Sequence, residues 1–94
     1  MTTLSIMTSG EAIDDNCVIA HIYYQLAQQQ KTWVALSYDE WYNSIGLTEE
    51  QVRNSCERLK GIVYHDIRIH NGRPVMHYRI DYTALKVWRM QGAV

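Results

Sequence analysis

Apolar residues in this chain recur first with a helical period, then with a period of two, then with a helical period again. From about Ile13 to Gln30 the spacing is helical, and Val18, Ile19, Ile22, Tyr23 and Leu26 share one broad face. Asp14 and Asp15 fall in the expected first turn of this helix, where negative charge suits the helix dipole. Residues before it, 1–12, are expected to be a flexible N-terminus, and 13–94 a single domain. Thr32 to Leu36 is short, β-branched and aromatic, which predicts one strand.

Two capping signals follow. Ser37-Tyr38-Asp39-Glu40 matches S-x-x-E, and Thr48-Glu49-Glu50-Gln51 matches T-x-x-Q. In each, the hydroxyl and the side chain three residues on satisfy opposite backbone donors. Leu36 with Trp41, and Leu47 with Val52, are placed to form the accompanying hydrophobic staples. The first of these helices ends at about Ile45, where Gly46 supplies a positive φ. The next, 48–60, keeps Val52, Cys56 and Leu59 on one face and stops at Gly61. Two short helices around a glycine turn are a helix-turn-helix signature.

Beyond Gly61 the period becomes two. Ile67 and Ile69 alternate with Asp66, Arg68 and His70, and Met76, Tyr78 and Ile80 alternate with His77, Arg79 and Asp81. Asn71-Gly72 between them is the preferred hairpin dipeptide. One face of this ribbon is apolar; the other carries Arg68, His70, His77 and Arg79, with Arg73 at the tip. Tyr82 to Met90 predicts a short closing helix with Leu85 and Trp88 inward.

The formal net charge of −1 hides an uneven distribution. Residues 1–50 hold seven carboxylates against Lys31 alone, and residues 51–94 hold eight Lys and Arg against three carboxylates. Such a split presents a basic face despite a near-neutral total. On a helical wheel for 48–60, Gln51, Asn54 and Arg58 gather on one outer stripe. Gln and Asn can pair bidentately with adenine, and Arg with guanine. Arg53 lies on a neighbouring stripe with Glu50, Glu57 and Lys60, spaced for ion pairs. Arg68, Arg73 and Arg79 of the ribbon are placed to contact phosphates.

Other chemistry is not expected. Cys17 and Cys56 each sit in an apolar helical pattern and read as buried thiols. His65 and His70 point to opposite faces of a strand, and His70 with His77 alone makes a poor zinc site. No phosphate loop or serine-nucleophile motif is present, so neither an enzyme, a cofactor nor a metal is anticipated. No apolar run approaches the roughly 20 residues that span a bilayer, and the expectation is a cytoplasmic protein.

The segments WVALSYDEW, GLTEEQVRNSCERLKGI and YRIDYTAL, in this order around the hairpin, resemble the winged helix-turn-helix domains of phage and plasmid replication proteins. The resemblance covers residues 33–85. It implies an α+β winged helix: a three-helix core, a short strand, a two-stranded wing and a short C-terminal helix. It also implies double-stranded DNA as the partner, in a regulator of transcription or a replication accessory. DNA would be read by helix 48–60 through Gln51, Asn54, Arg58 and Arg53. The wing, 62–82, would touch backbone through Arg68, Arg73 and Arg79. This chain carries fewer basic residues in the reading helix than those proteins do. The alternative is a protein-interaction module on the same scaffold, such as a phage-encoded inhibitor of a host complex. A homodimer through helix 13–30 is expected from Ile19, Tyr23 and Tyr24, which add apolar surface beyond the core stripe.

Overall fold

Local signals build most of the elements in this computed structural model, which describes residues 9–91. In chain order they are α1 (Ser9–Gln29), β1 (Val34–Ala35), α2 (Tyr38–Ile45), α3 (Glu49–Arg58), β2 (Val63–His70), β3 (Arg73–Ile80) and α4 (Tyr82–Met90). Both capping boxes form. Ser37 Oγ accepts from Glu40 N at 3.2 Å while Ser37 N donates to Glu40 Oε1 at 2.8 Å. Thr48 Oγ1 accepts from Gln51 N at 3.2 Å while Thr48 N donates to Gln51 Oε1 at 2.9 Å. Between the two helices Gly46 takes φ +76°, a left-handed backbone conformation that residues with a β-carbon rarely adopt. Its N–H closes α2 on Tyr42 O.

The three strands form an antiparallel sheet in the order β1-β3-β2. Asn71 and Gly72 both have positive φ, 53° and 80°, as a two-residue hairpin turn of the I′ kind requires. The register places His70 opposite Arg73, Asp66 opposite His77 and Tyr64 opposite Arg79. Asp81 caps α4 by accepting from Ala84 N at 3.0 Å.

The core lies between α1, α2, α3 and the inner face of the sheet. Trp41, Tyr78, Ile22, Val18 and Val52 are almost fully buried there. Trp41 meets the Tyr78 ring edge-on, with centroids 5.5 Å apart. This arrangement is α+β, with four helices and a three-stranded antiparallel sheet among the described residues, and it is compatible with a winged helix.

Two expectations are corrected. Helix α1 starts at Ser9 rather than Ile13, so residues 9–12 are helical; residues 1–8 and 92–94 lie outside the described residues. Asp14 and Asp15 therefore stand beyond the first turn, and Asp15 is buried on the α3 side. The apolar row of the hairpin enters the core only at its base. Val63, Tyr78 and Ile80 are buried, but Ile67 and Ile69 are 62% and 70% exposed because the hairpin projects past the helices.

Candidate nucleic-acid interface

The seven residues expected to meet DNA divide between two environments. On α3, only one flank was expected to be covered, by the core. Helix α1 covers a second flank, and its carboxylates reach across. Arg58 Nε donates to both carboxylate oxygens of Asp15 at 3.1 Å, and Nη2 donates to Oδ1 at 2.9 Å and to Ser55 Oγ at 3.1 Å. Arg58 Nη1 lies 3.5 Å from Glu11. The Asp15 side chain is 2% exposed and that of Arg58 22%, so this is a charge-assisted pair with its carboxylate buried and its guanidinium half-buried. It raises the Arg58 pKa, chiefly through the hydrogen bonds to Asp15. Arg58 does not lie on an outer stripe.

Gln51 is displaced from that stripe too. Its carbonyl closes the α3 capping box, and its amide sits 3.5 Å from Asp14 on α1. Asn54 and Arg53 are exposed, and Arg53 pairs with Glu49 at 3.3 Å. The open surface of α3 thus consists of Glu49, Glu50, Arg53, Asn54 and Glu57, three carboxylates against one guanidinium, with exposed Lys60 just past the helix 3.9 Å from Glu57. A surface of that sign repels phosphates.

The hairpin keeps its cations outward. Tyr64, Asp66, Arg68 and His70 of β2 share the outer face with Arg73, Val75, His77 and Arg79 of β3. Trp33, just before β1, lies against the same face. Arg68 Cζ is 4.0 Å from the Trp33 ring centroid. Arg79 Cζ is 4.3 Å from the Tyr64 centroid and 5.5 Å from that of Trp33. The order Arg68, Trp33, Arg79, Tyr64 is a ladder of guanidinium and aromatic groups, each contact being of the cation–π kind. Stacking restrains a guanidinium while leaving its N–H edge free for a bidentate oxyanion. Arg68 also pairs with Asp66 at 3.2 Å, an exposed contact of little strength. Arg73 stands exposed at the tip. His70 and His77 are edge-to-face at 6.0 Å, and His77 Nδ1 lies 2.8 Å from Val75 O.

Trp33 and Tyr64 were not among the expected contacts. Tyr64 could have been placed by extending the alternation of Asp66 and Arg68 back by two. Trp33 could not, because its neighbours come from strands more than 30 residues away.

Elsewhere the chemistry is quiet. Burial, and secondarily the charge of Asp15, pushes the Cys56 thiol up to about 12, so it stays protonated and unreactive. Among the described residues, no three metal-ligating side chains gather, and no helix is long and apolar enough to cross a membrane. No family model, curated protein or solved structure matches the chain.

Proposed function

We propose that this chain is a winged helix-turn-helix protein that binds duplex DNA chiefly through its wing, the β2–β3 hairpin. The observation that carries this reading is the outer face of the hairpin, where Arg68 and Arg79 stack on Trp33 and Tyr64 and Arg73 extends the row to the tip. Phosphate contacts supply affinity and register in such complexes. On α3, Asn54 is the side chain open to an adenine edge. Arg53 reaches a guanine only by leaving Glu49, an exposed pair whose loss costs about 1 kcal/mol or less. The charge pattern suits a regulator or replication accessory that binds backbone strongly and reads few bases. Homodimerisation through α1 belongs to the same proposal. Tyr23 and Tyr24 are half-exposed or more there, whereas Ile19 is buried in the core. Light scattering reports the mass in solution.

Binding of the purified protein to random-sequence duplex tests the proposal. Affinity is expected at about 50 mM salt and should fall steeply by about 200 mM. Absence of any complex at the lower salt overturns it.

A second reading is favoured by the acidic open face of α3: a protein-interaction module on the same scaffold, as an inhibitor of a host complex would be. Stoichiometric capture of one host protein, unchanged by nuclease, supports that reading.

A further inference from the structure

The outer face of the sheet carries more rings than a surface for phosphates needs. Beside the ladder of Arg68, Trp33, Arg79 and Tyr64, strand alternation puts His70 and His77 on the same side, with Ala35 of β1 opposite His77. The two imidazoles stand edge to face at 6.0 Å. The large side chains on this face are all planar, either rings or guanidiniums. Each is exposed or half-buried, because the helices pack on the opposite, inner face. From Arg73 to Arg79 the row runs about 20 Å along β3. Its charge is positive. Arg73 and Arg79 have no acidic partner among the described ion pairs, and Asp66, the carboxylate of this face, is tied to Arg68 at 3.2 Å.

A duplex uses only part of such a surface. Its phosphates can meet the guanidinium edges, but its base faces are stacked on one another and closed to the rings. An unpaired strand offers both phosphates and open base faces. Bases stack on aromatic rings and on guanidinium planes alike, so an arginine lying on a ring extends the plane rather than blocking it.

We propose that the outer face of the sheet is a stacking platform for single-stranded nucleic acid. Arg73 and Arg79 meet its phosphates, and its bases lie on Trp33, Tyr64 and the guanidinium planes beside them. The alternation of cations with rings along one groove-free strip is what sequence-tolerant binding of a single strand requires. The proposal rests on the reading of this face as a nucleic-acid surface and adds the form of strand it holds. It needs no contact from α3. Because the same groups serve duplex backbone and unpaired bases, the two ligands exclude each other.

Three probes of about 12 nucleotides separate the contributions of charge and stacking: an oligothymidine, the same sugar–phosphate chain without bases, and a duplex. Fluorescence anisotropy with the full chain at about 50 mM salt gives each affinity. The oligothymidine should bind at least about tenfold more tightly than the abasic chain, which carries the same charge. It should also quench tryptophan emission, and the abasic chain should not. Trp33 is the tryptophan on this face; Trp41 is buried in the core and Trp88 is packed against it. Trp33→Leu should therefore remove the quench and, like Tyr64→Leu, narrow the gap between the two probes. Tyr42→Leu, which removes an exposed ring on α2, should leave the gap unchanged. Duplex should displace the oligothymidine. Deoxyribose and ribose forms of an oligouridine distinguish the source, tighter binding of one assigning the platform to DNA or to RNA. Equal affinity for oligothymidine and the abasic chain, or an oligothymidine complex that bound duplex fails to displace, overturns the platform and leaves the duplex reading standing. So does binding of duplex without binding of oligothymidine. If neither binds at this salt, the platform and the duplex reading fall together.

Discussion

Arg58 and Arg79 carry the same guanidinium and are held in opposite ways. Arg58 lies between α1 and α3, with its hydrogen bonds directed at a carboxylate that is itself buried. Arg79 lies on the outer sheet face between two rings, with no acidic partner among the described ion pairs. The first arrangement neutralises the charge and ties two helices together. The second restrains the side chain without neutralising it, which is the condition for meeting an external anion. The same contrast separates the two sides of the molecule. The α1–α3 side uses charge for cohesion, and the hairpin displays it.

The sharpest way to break this comparison is to remove one arginine at a time. Arg58→Ala leaves Asp15 charged and buried without a partner, and should destabilise the fold by about 3–5 kcal/mol. Arg79→Gln removes contacts worth about 1 kcal/mol on the surface. Urea denaturation measures both; equal losses would show that the two sites do not differ as described.

Next in size is the response of DNA binding. The combined substitution Arg68→Gln, Arg73→Gln and Arg79→Gln should lower the slope of log affinity against log salt by about 2.7, if each arginine neutralises one phosphate. Circular dichroism should remain that of the parent. An unchanged slope would place the phosphate contacts elsewhere.

A smaller effect tests the stacking itself. Trp33→Leu keeps every cation and removes the ring between Arg68 and Arg79, so binding should weaken by about 1–2 kcal/mol over the two contacts. Arg79→Lys, which retains charge but not the planar fork, should fall between the parent and Arg79→Gln. Titration of the same duplex with each variant decides this.

The smallest effect concerns the cohesive side. Burial lowers the pKa of His21, which packs against Trp41 at 5.0 Å; Glu40 opposes this less strongly. Between the folded value and the ordinary 6.5, the unfolded chain binds a proton that the folded chain does not. Stability from this group is therefore complete above pH 6.5 and declines as pH falls toward the lower folded value. His21→Gln should flatten the slope of stability against pH in that window, as read by urea midpoints at several pH values.

Local patterns made several features legible. Ser37 with Glu40 and Thr48 with Gln51 announced two helix starts, Gly46 announced a stop, and Asn71-Gly72 announced the hairpin turn. Each works through atoms a few residues apart, so no distant contact can overrule it easily. The outward face of the hairpin was legible for a similar reason: alternation assigns faces, and Arg68 and Arg79 followed it. Gln51 and Arg58 were misread because a helical wheel gives angles around one axis but not the number of neighbours. It could show that Val52 and Leu59 face inward, but not that α1 would arrive on an adjacent flank with Glu11, Asp14 and Asp15.

The sequence by itself determined where α2 and α3 begin and where the hairpin turns, because caps, turns and periodicity act within a few residues; the start of α1 it did not determine. Only the tertiary structure decided which charges meet. Asp15 finds Arg58 43 positions away, and Trp33 finds Arg68 and Arg79, through packing of elements that are far apart in the chain. A charge's role depends on what burial removes from its surroundings and what it places there, and neither quantity exists until the elements have docked.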